Sequence, residues 1–287
     1  MLDVKYWGGI KCTLNTDTTS SDYGTLVLTR GESSIAANGT ATPWYNRSKY
    51  TSIIKHIEIK NKIQFNNNAS LDYLFFDCSQ CESIVGLNNL NVDNVVSMNA
   101  MFTNCSSLTT LDVSSWNTAN VTQMYNMFGG CKQLTSINGL NNWDVSKVTN
   151  INWMFNNCNE LKELDLSNWN TPNVQFIGWL FNGCKKLTYL NLNGLTLINE
   201  SNNINVEINI LNGLNKLETI ITPYQFDSSG LFQQEFKSRF KTNLKECDTG
   251  KLVDDSTTIK PSFIYTKDET LISNTRKLCN SIVNVLK

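Results

Sequence analysis

MFTNCSSLTTLDVSSWNTANVTQM, residues 101–124, decides the fold, because nearly every apolar position in it returns elsewhere at a fixed interval. Cys105 falls in a series with Cys78, Cys131, Cys158 and Cys184, at spacings of 27, 26, 27 and 26 residues. Three residues before each stands a phenylalanine: Phe75, Phe102, Phe128, Phe155 and Phe181. Three residues after stand Cys81, Leu108, Leu134, Leu161 and Leu187, and three further on Ile84, Leu111, Ile137, Leu164 and Leu190. Leu90, Trp116, Trp143, Trp169 and Leu195 follow, and Val95, Val121, Val148 and Val174 close four of the units. A degenerate copy, LNGLNKLETI (211–220), puts Leu211, Leu214, Leu217 and Ile220 at the Phe, Cys, Leu and Leu positions. The switch between 26 and 27 is one residue added before the Trp, as in INGLNNW (137–143) against LDVSSW (111–116).

A unit of this length cannot bury its apolar side alone. Stacked on its neighbours, it lines up equivalent residues in ladders, so the period predicts a leucine-rich-repeat-like solenoid, an α/β repeat. Within one unit, Leu108–Val113 reads as a short strand. VTQMYNMF (121–128) is apolar at Val121, Met124, Met127 and Phe128, a helical or 3₁₀ spacing. SSWNTAN (114–120) and NNWDVSK (141–147) are rich in turn formers. One coil is therefore expected to run strand, turn, short helix, turn.

The ends differ in character. Residues 1–65 carry the β-type runs TLVLTR and IIKHIEIK and are expected to form a β-rich capping module. Residues 66–222 hold the repeats, with TLINESNNINVEINI (196–210) interrupting the period as a loop. Residues 223–287 are expected to form a helical capping or anchoring segment, with Leu231, Phe232, Phe236 and Phe240 on one helix. A second apolar set, Leu271, Ile272, Leu278, Ile282, Val285 and Leu286, has helical spacing. Removing 223–287 is expected to leave the repeats folded.

Few residues have the makings of a reaction centre. Cys78 and Cys81 form a C-x-x-C pair, but both fall on repeat core positions and no second pair or nearby His completes a zinc site. The Cys column is read as a small apolar slot, because Leu214 occupies it in the last copy. His56 is the only histidine and is expected on an exposed strand position, which argues against the usual acid–base and nucleophilic schemes. Glu163 and Asp165 are the nearest thing to a carboxylate pair, at variable repeat positions. No catalytic residue, metal site or cofactor is expected.

The exposed strand positions are instead expected to make a binding face: Thr110, Asp112, Ser136, Asn138, Glu163, Asp165, Tyr189 and Asn191. Trp179 and Tyr189 are its expected bulky members. Asp112, Asn138, Asp165 and Asn191 share one repeat position, where they would either hold a ligand or satisfy turn backbone groups. The alternative is a solvated face, with contacts made at the ends of the solenoid.

The combined Met-Phe, Cys, Leu, Leu-Asp, Trp-Asn and Val positions resemble the BspA-like leucine-rich repeat, a bacterial surface protein repeat of about 26 residues. The likeness runs over Leu71–Leu195 and more weakly to Ile220. YGTLVLTRGE and TPWYNRSKYTSIIKHIEIKN are similar to the segments that often precede such repeats. The resemblance implies a solenoid that binds partners or mediates attachment, without catalytic residues. The start, MLDVKYWGGIKCTLN, has no basic stretch followed by an apolar run, so no export signal is expected. No run approaches the roughly 18–20 apolar residues of a membrane span. A net charge of −1 without basic clusters argues against nucleic acid. These features, with an Asn-, Lys- and Ile-rich composition, lead to an expected role as a component of a phage virion. There it would sit in an oligomeric assembly and contact other virion proteins or a host surface protein or glycan. A bacterial cell-surface adhesin is the alternative.

Overall fold

A computed structural model describes residues 2–30, 35–36, 39–45, 48–197, 209–223, 225–226, 231–240, 243–255, 257–260 and 263–275. Strands β1 (Leu2–Trp7) and β2 (Ile10–Asn15) form an antiparallel hairpin, and β3 (Thr25–Arg30) adds antiparallel to β2. From there the direction is constant. β4 (His56–Ile59) runs parallel to β3, and β5 (Ser83–Val85) parallel to β4. β6 (Thr110–Asp112) pairs in parallel with β7 (Ser136–Asn138). β8 (Glu163–Asp165), β9 (Tyr189–Asn191) and β10 (Thr219–Ile221) do the same. Each coil returns the chain to the same point one layer on, which is why the strands are parallel. The molecule is the leucine-rich-repeat-like solenoid that the period predicts. Hydrogen-bonded pairing is interrupted between β5 and β6 and between β7 and β8. Each interruption adjoins a 3₁₀ turn, Leu87–Asn89 or Leu140–Asn142, which takes up the extra residue of a 27-residue unit.

The expected short helix in each coil is a run of β-turns instead. In residues 98–105, Met101, Thr103 and Cys105 donate their N–H groups three residues back, to Met98, Ala100 and Phe102. The N–H groups of Met98, Ala100, Phe102 and Asn104 donate to Gln123, Tyr125, Met127 and Gly129 of the next coil. A helix would spend every N–H inside its own segment. Here half of them tie one coil to the next, so the segment works as a ladder. Two positions per coil take positive φ. The first holds Tyr73, Ala100, Asn126, Trp153 and Trp179, and the second holds Asp77, Asn104, Gly130, Asn157 and Gly183. The second column is Asn, Asp or Gly throughout, the residues for which the left-handed conformation costs least.

Alongside aliphatic columns such as Leu108, Leu134, Leu161 and Leu187, three side-chain ladders carry rings or sulfur through the interior. Phe75, Phe102, Phe128, Phe155 and Phe181 stack with centroid spacings of 5.6, 5.7, 5.7 and 5.9 Å. Trp116, Trp143 and Trp169 stack at 6.1 and 6.5 Å, with interplanar angles of 10° and 7°. Their Nε1 atoms donate to the carbonyls of Leu87, Val113 and Leu140 at 3.0, 3.4 and 2.8 Å. The cysteines form the third ladder and are more than apolar filler. Cys105, Cys131, Cys158 and Cys184 direct Sγ at the carbonyl of the Phe one coil back, at 3.1–3.2 Å. Burying each aromatic ring stabilises by about 1.5–3 kcal/mol, and pairwise stacking adds roughly 0.5–1.5 kcal/mol. Each inter-coil hydrogen bond adds a net gain of about 1 kcal/mol, and since every coil makes several of them, ladders and bonds hold the coils together jointly.

Both ends are covered. Trp44 takes the place of a Phe ahead of the first repeat: its ring stacks on Phe75 at 6.5 Å and 3°, and its Nε1 donates to the Leu74 carbonyl at 2.6 Å. Trp7 packs edge-on against Trp44. At the far end, β11 (Lys245–Glu246) and β12 (Ile264–Thr266) close the sheet, with β12 antiparallel on β10 and β11 antiparallel on β12. Helix α1 (Leu231–Phe240) buries Phe232, Phe236 and Phe240, and Phe236 meets Tyr265 edge-on at 4.9 Å. The C-terminal segment is thus part of the packed body, in the capping position. Residues 269–275 are helical, with Ile272 buried. Leu278, Ile282, Val285 and Leu286 lie outside the described residues, as does most of the 196–210 loop.

Candidate functional site

The strand row brings most of the expected binding residues onto one surface. Thr110 lies opposite Ser136 and Asp112 opposite Asn138, and Glu163 lies opposite Tyr189 and Asp165 opposite Asn191. Six of them are exposed, Tyr189 is half-buried, and Asn191, at 8% exposed, is covered. A shallow groove at the β7–β8 interruption is lined by Ser136, Asn138, Lys162, Glu163, Asp165 and Tyr189.

The polar column on this face acts locally. Asp112 Oδ1 accepts from Ser114 N at 3.0 Å and from Ser114 Oγ at 2.6 Å. Asp165 Oδ1 accepts from Ser167 N at 2.9 Å, and Asn191 Oδ1 accepts from Asn193 N at 3.1 Å. These are Asx-turns that end the strand. The Ser114 bonds hold the Asp112 carboxyl below its ordinary value. Burial raises the Tyr189 phenol, the neighbouring Asp165 charge adding to it.

Trp179 is not on this surface. It sits in the run of turns on another side of the coil, at φ 52°, with its ring 5.3 Å from that of Trp153. Tyr125 and Phe176, on the same ladder, are 39% and 40% exposed. Trp153 and Trp179 are half-buried. Toward the N-terminal end, Tyr73 packs against Tyr45 at 5.6 Å and Phe76 at 5.4 Å. The turn ladder thus carries partly exposed aromatic rings in four of its five coils, of which Trp153 and Trp179 form the one pair in contact across coils among the described residues. Sequence reasoning missed Tyr125, Trp153 and Phe176 because a helical reading spreads these positions around an axis instead of setting them on one flat ladder. One signal was available: residues 95–105, 121–131, 148–158 and 174–184 contain no Asp, Glu, Lys or Arg.

Groups with chemical potential are otherwise committed. The eight described cysteines are free thiols and buried. Burial pushes Cys131 and Cys184 up to about 12, so neither offers a thiolate near neutrality. Cys81 is raised likewise, and its Sγ is 3.4 Å from the Ser83 carbonyl. His56 is half-buried rather than exposed. Its Nδ1 lies 2.9 Å from Ser83 Oγ, its direct cross-strand neighbour. Glu235 on α1 accepts from Leu211 N at 2.9 Å, and its other oxygen is buried without a partner. Among the described residues, no helix is long and apolar enough to cross a membrane.

Residues 69–194 match the family model described as "Mycoplasma protein of unknown function, DUF285". A leucine rich cell surface protein from Faecalibacterium prausnitzii aligns at 17% identity with a TM-score of 0.33, over 65% of this chain and 54% of its own. This chain therefore spans about half the length of that protein. A leucine-rich repeat protein from Eubacterium ventriosum aligns at 10% identity with a TM-score of 0.22, over 71% of this chain and 92% of its own. No curated protein matches.

Proposed function

We propose that this chain is a non-catalytic binding protein displayed on a bacterial surface, and that its turn ladder makes the contact. The supporting observation is this set of partly exposed rings. Of the rings on the repeats, the Phe and Trp ladders are spent on the interior, whereas Tyr125 and Phe176 are exposed and Trp153 and Trp179 half-exposed, and inter-coil hydrogen bonds fix the backbone of Tyr125, Trp153 and Phe176. Partly exposed aromatic side chains on a rigid backbone are strong anchors for a partner, because little conformational entropy is lost on binding. The strand face, by contrast, spends Asp112 and Asp165 on its own turns.

The experiment is adhesion of beads carrying the purified protein to intact bacterial and epithelial cells. A Trp153→Asn/Trp179→Asn variant is compared with Glu163→Gln/Asp165→Asn. Asn126 already occupies the Trp153 and Trp179 repeat position, so the backbone accepts asparagine there. Adhesion lost in the first variant and kept in the second supports the turn ladder; the reverse pattern moves the contact to the strand face. A second reading, display on a phage particle, is favoured by the Asn-, Lys- and Ile-rich composition. Recovery of the chain at fixed ratio to a capsid protein in purified particles would select it.

A further inference from the structure

We propose that the ligand of the turn ladder is a neutral polysaccharide, whose sugar rings stack on Trp153 and Trp179 along the solenoid axis. The ligand class rests on the turn ladder being the binding face.

Three properties of the patch select that chemistry. The first is shape. Trp153 and Trp179 sit one coil apart with rings 5.3 Å between centroids and tilted by 43°, and Phe176 and Tyr125 are further exposed rings on other columns of the same turn run. Aromatic faces carry negative π density and attract the weakly positive C–H groups on the flat side of a sugar ring. Two adjacent coils, about 4.8 Å apart, supply this platform, while the same position in the two coils before them holds Ala100 and Asn126, so the site spans a short stretch of an extended chain.

The second is charge. Four consecutive coils present this ladder with no Asp, Glu, Lys or Arg in residues 95–105, 121–131, 148–158 and 174–184. A single-stranded nucleic acid would also stack on aromatic rings, but it needs a cationic groove to meet its phosphates. An acidic polysaccharide needs the same. Protein hot spots combine Trp and Tyr with Arg, and these segments have none. A ligand of many hydroxyls and no charge is the complement.

The third is hydrogen bonding. Around the rings the ladder carries amides: Gln123, Asn126, Asn150 and Asn152. An amide both donates and accepts, as a hydroxyl does, so the pair is matched. Some of this capacity is spent between coils. Gln123 Nε2 donates to Thr149 Oγ1 at 2.7 Å, and Asn152 Oδ1 accepts from Gly178 N at 2.5 Å. Asn126 Oδ1 has no partner although it is shielded from solvent.

The test is titration of the purified full chain, by calorimetry and tryptophan fluorescence, with a panel of neutral polysaccharides spanning α- and β-linked glucans, mannans and galactans. Polygalacturonate serves as the charged probe. At least one neutral polymer is expected to bind. Its affinity should be unchanged from roughly 50 to 500 mM salt, since no ion pair is involved. It should fall about ten-fold or more in each of Trp153→Asn and Trp179→Asn, both still folded by circular dichroism at the titration temperature, and should hold in Glu163→Gln/Asp165→Asn. Failure to bind any neutral polymer overturns the proposal, as does binding to polygalacturonate alone or binding that ignores both Trp substitutions. Adhesion assays separate this from the face itself. Trp-dependent adhesion that survives periodate oxidation of the cell-surface glycans means a protein partner on the same face. Adhesion indifferent to Trp153 and Trp179 removes the face as well.

Discussion

At the scale of single residues, the repeat positions are set by what each side chain offers the coil behind it. The Trp column is a ring in a stack and also a donor. Trp169 Nε1 bonds the Leu140 carbonyl at 2.8 Å, whereas Trp143 reaches Val113 only at 3.4 Å. Trp169→Phe should therefore cost more than Trp143→Phe, about 2–4 kcal/mol against about 1–3, read from urea midpoints. Equal losses would mean that ring volume alone matters. The Cys column is a small side chain with a weak donor, which explains why Leu214 can replace it where the repeat degenerates. Burial raises Cys131 and Cys184 from an ordinary value of 9.0 to about 12. A thiol whose folded value exceeds its unfolded one contributes fully below about pH 9, and that contribution fades as pH climbs toward 12. The share of stability owed to these thiols should accordingly be constant up to about pH 9 and then fall steeply, with thiol reagents consuming these cysteines only after unfolding. Rapid labelling of the native protein at neutral pH would contradict this. The columns themselves were legible in the sequence. The roles of Nε1 and Sγ were not, because a period shows where a residue recurs but not where its polar atom points.

At the scale of elements, the turn run is where sequence and structure part. Val121, Met124, Met127 and Phe128 have a spacing that suits a helix, yet the same spacing arises when consecutive turns fold one side chain in three inward. What tips the balance is the neighbouring coil, which takes half of the N–H groups, together with the Asn and Gly residues at positive φ. Within that column Asn and Gly are coupled across coils. A Cβ on Gly183, at φ 78°, would stand 2.4 Å from Asn157 Oδ1. Gly183→Ala should cost about 1–3 kcal/mol, and adding Asn157→Gly should recover part of that by clearing the space. Strict additivity of the two changes would refute the coupling. Helix α1 holds a different device. Burial pushes Glu235 from 4.5 up to about 7, so docking of the C-terminal cap should be firmest near pH 4.5 and weaken as pH rises through 7. Glu235→Gln should flatten that dependence in a pH series of thermal midpoints; an unchanged slope would assign it to other groups.

At the scale of the whole molecule, the solenoid is a stack closed at both ends by elements that were only partly legible. The N-terminal strands could be read from their β-branched runs, and Trp44 continues the Phe ladder beyond the first repeat. The C-terminal β11–β12 pair was not foreseen, since two- and three-residue strands leave almost no pattern. Truncation after residue 222 should leave the edge of β10 unpaired and expose Leu211, Leu217 and Ile220, giving an aggregating product where the full chain is monodisperse by light scattering. A soluble, cooperatively folding truncate would show that the cap is dispensable. The same geometry hides one set of aromatic rings and displays another, and it separates Trp179 from the strand face where it was expected. Oxidative footprinting by mass spectrometry, with the protein bound to intact cells, tests that separation most directly. The account predicts that Tyr125, Trp153, Phe176 and Trp179 lose reactivity on binding while Tyr189 keeps it. Protection of Tyr189 with the other four unchanged would place the contact on the strand face and contradict the account.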